Sequence, residues 1–341
     1  MARTLTDRQK NILKLLLLIV GAGILCALLS IGFGMFRPAS ADGSDFSDTA
    51  TDYLKERETI YVNGVAYTRR PDVSTVLFIG LDAKGELKSN GSYNNDVQAD
   101  VLTLAVFDQK NKKYALLHLN RDTMTDVQVL DWNGQPTRTL REQIALAHTY
   151  GDGMETSCKN TVDAVENLLY GVDVDHYIAL TRDAVRIFTD GISGVPVTMD
   201  RDWTEIDSRL IKGAAVTMDG DLLVKFTQSR GGLEDSTNEA RMERQKTIFR
   251  ALVETLRTAK ISHSQYVDIF DDMAPYMLSN CTVTEFLNLA DPVVAAEFTG
   301  VIVPKGEARL GAEFMEFYVD EADLQQTVID LFYDLSDDLQ E

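Results

Sequence analysis

Cysteine and histidine are scarce in this sequence, and positive charge is in deficit. The 341 residues include three cysteines and four histidines, and 53 Asp and Glu outnumber 33 Lys and Arg, for a formal net charge of -20. A chain this acidic is not expected to bind the phosphate backbone of a nucleic acid. If the protein binds a phosphorylated ligand, its positive charge must be concentrated at one site.

A long apolar run near the N-terminus contains no charged residue. Residues 15–36 would form about 33 Å of helix, enough to cross a hydrocarbon core of about 30 Å. Basic residues precede the run and aspartates follow it, so we predict a cytoplasmic tail at 1–14, a transmembrane anchor at 15–36 and an extracytoplasmic remainder. Ala39-Ser40-Ala41 resembles a signal-peptidase site. The run exceeds the usual signal core of about 7–15 residues, which favours an uncleaved anchor over a cleaved signal.

Residues 37–58 are rich in Ser, Thr, Asp and Gly, which indicates a flexible spacer. Asn63-Gly64 then lies between two β-prone runs. This pair favours a tight hairpin, because both turn residues readily adopt positive φ. We therefore predict that the folded domain, 59–341, begins with a hairpin.

Three buried-strand patterns follow, at 76–81, 101–107 and 114–119. The polar link 108–113 between the second and third is short, which predicts an antiparallel pair. Such a pair places Asp100, at the start of the second strand, beside Arg121, at the end of the third. If the first strand runs parallel to the third, Asp82 reaches the same edge.

Helical and strand patterns alternate over the rest of the chain. Helices are predicted at 162–169, 183–189, 239–257 and 321–335, and strands at 127–130, 137–140, 176–180, 195–197, 298–303 and 314–318. This alternation predicts an α/β fold, a layered sandwich with a central mixed β-sheet flanked by helices.

The predicted helix 239–257 carries polar residues on its buried side. Its apolar stripe, projected back by three and four residues, passes through Gln245, Arg244 and Arg241. A core-facing arginine needs an anion to offset its desolvation, and a bound phosphate would serve. For Arg244 two roles stay open: binding in the pocket, or pairing with another residue in a structural contact.

Two cysteines, Cys158 and Cys281, lie beyond the apolar run. They match no metal-site spacing, so the alternatives are a disulfide or two thiols. The extracytoplasmic location predicted above is oxidising, which favours a disulfide.

A series of short segments, each weak alone, follows in a fixed order. They are VLFIGLD at 76–82, ADVL at 99–102, RDT at 121–123, AHTYGDG at 147–153, VDVDHY at 172–177, DGISGVPV at 190–197, SR at 229–230 and RMERQ at 241–245. Together they resemble the LytR-CpsA-Psr (LCP) family of phosphotransferases. Such proteins are membrane-anchored and use Mg²⁺ to transfer glycopolymers from an undecaprenyl-diphosphate carrier to peptidoglycan in Gram-positive and related envelopes.

The resemblance implies roles for particular residues. It implies that Asp82 and Asp100 ligate Mg²⁺ (or Mn²⁺) and that both act with Arg121 in catalysis. It further implies that the lipid diphosphate is bound by Arg121, Arg230, Arg241 and Gln245, with Arg244 beside them. These chemistries agree, since Mg²⁺ prefers carboxylate and phosphate oxygens and an arginine fork matches phosphate. Neither the glycopolymer (teichoic acid, capsule or another glycan) nor the general base is specified, and Asp82 is a candidate base as well as a ligand.

The sequence also departs from the family pattern. Gln98 and Gln228 stand where the family has arginines, Ala83-Lys84 replaces a further arginine, and Asn120 stands where proline is common. Losing one preorganised donor to a transition state can cost about 10²–10³ in rate. Two hypotheses follow. The protein is an LCP-type transferase, or it is an LCP-fold protein that binds polyprenyl-diphosphate-linked precursors in a regulatory or scaffolding role with weakened turnover.

Overall fold

The computed structural model describes residues 59–89, 95–229, 238–258, 262–281, 296–311 and 314–336. The predicted tail, anchor and spacer lie outside these ranges, and so does Arg230. Within them, no helix is both long enough and apolar enough to cross a bilayer.

A six-stranded mixed sheet organises the described structure. Its strands, in spatial order, are β11 (Met277–Ser279), β8 (His176–Leu180), β3 (Val73–Leu81), β4 (Ala99–Asp108), β5 (Lys113–Leu119) and β12 (Glu297–Ile302). β3 pairs with β8 in parallel and β12 pairs with β5 in parallel, while the other neighbours are antiparallel. The predicted β4–β5 pair is confirmed. β3 runs parallel to β5, which is the condition under which Asp82 reaches the same edge.

Helices cover both faces of the sheet. They are α1 (Glu155–Leu168), α2 (Arg182–Gly191), α3 (Gly220–Gln228), α4 (Asn238–Thr258), α5 (His263–Met273) and α6 (Glu321–Phe332), with 3-10 helices at Ile144–Thr149 and Ala274–Tyr276. The predicted positions of α2 and α4 are confirmed to within two residues at each end.

Alternate residues of β3 face two separate cores, because successive strand side chains point to opposite sides of a sheet. Val76 and Phe78 belong to an apolar cluster with residues of α2 to α5, which we call the first core. Leu77 and Ile79 belong to a cluster with residues of α1 and α6, the second core. The predicted arrangement of a mixed sheet between helices is confirmed.

Smaller sheets surround this sandwich. Their strands are β1 (Thr59–Val62), β2 (Val65–Arg69), β6 (Met124–Leu130), β7 (Pro136–Gln143), β9 (Val195–Thr198), β10 (Ala215–Met218), β13 (Gly306–Leu310), β14 (Met315–Val319) and β15 (Tyr333–Leu335). The hairpin at Asn63-Gly64 is confirmed, with φ of 52° and 79°. The predicted last helix is wrong at its end, because residues 333–335 form β15, which pairs with β2. This pairing partner lies more than 260 residues away, so the local pattern carried no sign of it.

The predicted disulfide is wrong. Cys158 and Cys281 are not bonded to each other. Cys158 is buried in the second core, whereas Cys281 packs against the first core, on the other face of the sheet. A disulfide requires Cα atoms within about 7 Å, which an intervening sheet prevents. Burial also raises the pKa of the Cys158 thiol, so this cysteine is an unreactive core residue.

Candidate functional site

The ends of β3, β4 and β5 bring three predicted site residues to one edge of the sheet. Asp82 directly follows β3, and its backbone N donates to Gln98 O at 3.0 Å. Asp100 is the second residue of β4, and Arg121 follows β5 by two residues. Asp100 and Arg121 form an ion pair, as the hairpin geometry predicts.

A β-bulge determines which way Asp100 faces. Gly80 pairs with Val101 but Leu81 pairs with Ala99, so Asp100 is an extra residue on β4. Ala99 lies in the second core, and its neighbours in the strand therefore face the opposite side. Gln98 and Asp100 both contact the guanidinium of Arg121, in agreement with this placement. The bulge thus turns the Asp100 carboxylate to the side where α4 packs.

The guanidinium of Arg121 is held by three side chains. Nη1 pairs with Asp100 Oδ1, Nη2 donates to Gln98 Oε1 at 2.5 Å, and Nε lies 3.2 Å from Asp122 Oδ1. Asp100 is fully buried, and the Arg121 side chain is 13% exposed. The orientation of the guanidinium is therefore fixed.

Asp82 pairs with an arginine that no sequence motif indicated. Arg182 Nη2 contacts Asp82 Oδ1. β3 and β8 are parallel with Gly80 level with Leu180, so the residues two positions further on, Asp82 and Arg182, meet at the same sheet edge. A prediction that these two strands pair in parallel would have placed Arg182 beside Asp82. Lys84, one of the two residues that stand in place of a further family arginine, is exposed.

Helix α4 directs polar side chains onto the sheet, as its stripe predicts. Arg241 is 1% exposed and Gln245 is 3% exposed. Gln245 Oε1 lies 3.1 Å from Nε2 of His118, a β5 residue, and Thr103 Oγ1 on β4 lies 2.7 Å from Nδ1 of the same ring. Because the Gln245 oxygen can only accept, Nε2 of His118 donates, and Nδ1 of the neutral ring accepts from Thr103.

Burial lowers the pKa of His118 to about 4, and the positive charge of Arg241 acts in the same direction. His118 is therefore neutral at physiological pH, and its tautomer orients the amide of Gln245. Burial likewise lowers the pKa of His148 to about 4, against the opposing effects of its bond to Val97 O and the charge of Asp152.

We expect the fold to lose stability as the pH falls from about 6.5 to about 4. In this window an unfolded histidine binds a proton, whereas folded His118 and His148 remain neutral. Unfolding therefore takes up protons, and each histidine lowers the free energy of unfolding by roughly 3 kcal/mol across the window. Denaturant titrations at a series of pH values measure this slope. The double variant His118→Gln, His148→Gln should show a shallower slope, and an unchanged slope contradicts the assignment.

Arg244 makes contacts different from those of Arg241. Its Nε donates to Phe226 O at 3.2 Å and its Nη2 donates to Ser229 O at 2.6 Å, at the C-terminal end of α3. Its guanidinium also lies 5.0 Å from the ring centroid of Trp203. A cation is favourable at a helix C-terminus, where carbonyl groups lack helical partners. These contacts support the structural alternative for Arg244.

Asp82 and Asp100 offer a small ligand set for a divalent cation. Within the described residues, no group of three or more Asp, Glu, His or Cys side chains is arranged to hold a metal ion. Arg182 contacts Oδ1 of Asp82, and Arg121 contacts Oδ1 of Asp100. Oδ2 of Asp100 is buried without a hydrogen-bond partner in the described part of the chain. Mg²⁺ commonly takes one or two carboxylates and completes its shell with water and substrate phosphate. In residue type and number, the two aspartates match the protein ligands that Mg²⁺ takes when water and phosphate complete its shell.

The LytR_cpsA_psr family model matches residues 41–310, which is most of the chain, and the protein belongs to this family. The resemblance stated from the sequence is confirmed. Two curated relatives come from Bacillus subtilis strain 168, both named polyisoprenyl-teichoic acid–peptidoglycan teichoic acid transferases. TagV is 23% identical over 288 residues, covering 82% of this chain and 67% of TagV. TagT is 23% identical over 271 residues, covering 77% of each.

Solved structures share the fold. TagT bound to LIIa-WTA superposes with a TM-score of 0.58 at 19% identity, over 76% of this chain and 90% of that one. Bacillus subtilis TagV superposes with a TM-score of 0.56 at 20% identity, over 76% of this chain and 97% of that one.

Proposed function

We propose that this protein binds a polyprenyl-diphosphate-linked glycopolymer and transfers the glycopolymer to peptidoglycan. The observation that carries the proposal is the fixed guanidinium of Arg121, held by Asp100, Gln98 and Asp122 at the sheet edge. An arginine fork oriented before the ligand arrives binds phosphate in bidentate fashion and needs no reorganisation as charge develops.

Two buried glutamine side chains also carry a donor that needs an acceptor. Gln245 Nε2 and Gln228 Nε2 are buried and make no hydrogen bond within the described part of the chain. Such groups are rarely left without an acceptor in a native protein. In the proposal, Gln245 and the buried Arg241 bind the diphosphate together with Arg121 and Arg230.

The proposed reaction is an in-line phosphoryl transfer. A peptidoglycan hydroxyl attacks the phosphorus that bears the glycopolymer, and the bond from that phosphorus to the lipid phosphate breaks. The hydroxyl proton passes to a base, for which Asp82 is the candidate, and the lipid phosphate leaves with the bonding electrons. Asp82 and Asp100 would hold Mg²⁺ (or Mn²⁺), which neutralises charge on the diphosphate. Arg121 stabilises the charge that develops on the departing phosphate.

A second candidate function is binding with weakened turnover, in a regulatory or scaffolding role. The observation that favours it is the contact of Gln98 Oε1 with Arg121, where a neutral amide accepts a hydrogen bond and adds no positive charge. Such a protein would retain lipid-linked precursors without transferring the polymer.

One assay separates the two functions. The full-length chain in detergent micelles is incubated with Mg²⁺ and a radiolabelled polyprenyl-diphosphate glycan, with and without peptidoglycan oligomers. Labelled peptidoglycan supports the transferase, and tight binding with no transfer and no diphosphate cleavage supports the binding protein. Absence of binding contradicts both.

We also propose that segment 15–36 anchors the protein in the membrane of a Gram-positive-type envelope, with the N-terminus in the cytoplasm. The charge asymmetry around the segment supports this orientation. Protease added to intact protoplasts should digest the part after residue 36, and full protection of that part contradicts the orientation.

A further inference from the structure

Arg182 is a cation at the edge of the candidate site that belongs to none of the motifs shared with the family. It is the first residue of α2, and its side chain is 11% exposed. In the described part of the chain, Asp82 is its sole acidic partner within 4.0 Å, and its Nε is buried without a hydrogen-bond partner there. The Asp82 side chain is more accessible, at 27% exposed.

We propose that Arg182 is a diphosphate-binding residue that rests on Asp82 and moves to the ligand phosphate when a divalent cation occupies Asp82. This inference rests on the proposed function and adds a residue to it. Arg182 would thereby supply part of the positive charge that Gln98 and Gln228 do not.

Competition for Asp82 follows from the contacts. Arg182 contacts Oδ1 of Asp82, and a divalent cation on the same carboxylate would repel the guanidinium and weaken this contact. An arginine that loses its carboxylate inside a protein needs another anion, since an unpaired buried charge is strongly destabilising. With no second acidic partner among the described residues, the ligand phosphate is the anion that meets this need.

The surrounding structure allows Arg182 to change partner without releasing the chain. Asp183, the next residue, accepts from the backbone N of Gly85 at 2.7 Å, and Leu87 N donates to Pro275 O at 2.9 Å. The segment after Asp82 is therefore anchored independently of the Arg182 contact. Arg182 also lies at the N-terminus of α2, where the helix dipole favours a bound anion.

Binding measurements on the full-length chain in detergent micelles test the inference. Mn²⁺ affinity is measured from the electron paramagnetic resonance of the unbound ion, and farnesyl diphosphate affinity by calorimetry in saturating Mn²⁺. Arg182→Gln should bind Mn²⁺ alone about tenfold more tightly, because a competitor is removed, and farnesyl diphosphate about tenfold more weakly. Arg186→Gln is the matched control. It removes an ion-paired arginine one turn along α2, whose side chain is 43% exposed, and should change neither affinity.

Asp82→Asn provides an independent reading. It releases Arg182 without metal, so farnesyl diphosphate binding in the absence of Mn²⁺ should become severalfold tighter than in the wild type. If Arg182→Gln does not fold, this variant decides, and unchanged or weaker metal-free binding overturns the inference.

The remaining outcomes are distinct. Unchanged or weaker Mn²⁺ affinity in folded Arg182→Gln contradicts the competition between Arg182 and the metal ion for Asp82. Tighter Mn²⁺ binding with unchanged diphosphate affinity overturns the role of Arg182 toward the ligand. A wild-type chain that binds no farnesyl diphosphate overturns the proposed function, and the inference with it.

Discussion

Replacing Arg121 with glutamine should weaken the binding of farnesyl diphosphate by about 100-fold. Two charge-assisted hydrogen bonds from one guanidinium contribute about 3 kcal/mol or more, which corresponds to this factor. Arg121→Lys keeps the charge but loses the planar fork, and about a tenfold loss is expected. Calorimetry on the full-length chain in detergent micelles measures both affinities.

Stability must be followed in the same experiment. Arg121 compensates the fully buried Asp100, and removing one partner of a buried ion pair costs about 3–5 kcal/mol. Arg121→Lys leaves the Asp100 charge compensated. A loss of affinity in this variant is therefore not explained by unfolding around an unpaired Asp100. Arg141→Gln removes an exposed ion pair with Asp126 on β6 and β7 and serves as the control. Wild-type affinity in a folded Arg121→Gln protein contradicts the site.

Restoring the two missing arginines should raise the rate of glycopolymer transfer. We expect Gln98→Arg combined with Gln228→Arg to increase the rate by about 10- to 100-fold, below the upper range for a preorganised donor. Gln98 already contacts Arg121, so an arginine there adds charge beside the proposed leaving phosphate. Gln228 is the last residue of α3, where the helix dipole favours a cation.

The matched control for this gain is Gln128→Arg, the same substitution on β6, where Gln128 bonds to Thr139. It should leave transfer unchanged. A double variant that binds ligand at least as well as the wild type and still transfers nothing favours the binding function over the transferase. A rate equal to that of the wild type contradicts the importance assigned to Gln98 and Gln228.

Much of the site was predictable because it depends on strand connection. The short polar link 108–113 fixes an antiparallel pair, which brings Asp100 to the sheet edge where Arg121 lies, while the bulge against β3 sets the side that Asp100 faces. The stripe on α4 predicted the inward direction of Arg241 and Gln245, because helix periodicity is a local property. These parts needed no knowledge of distant contacts.

The rest depended on pairings between distant segments. Arg182 reaches Asp82 only because β8 lies beside β3, a contact across 100 positions that no local pattern encodes. β15 forms by pairing with β2, which overrides the helical pattern of the preceding residues. The disulfide prediction failed for the same reason, since compartment and cysteine count do not reveal that a sheet separates Cys158 from Cys281.

The extra residue in β4 makes spacing, as well as residue type, part of the information that specifies the site. In an unbroken ladder Asp100 would pair with Leu81 and face the second core with it, where an apolar cluster offers no counter-charge. Related sequences that differ by a one-residue gap here would carry the same aspartate on the opposite side of the sheet. An alignment of this segment should therefore be judged by its gap placement before any functional residue is transferred from one protein to another.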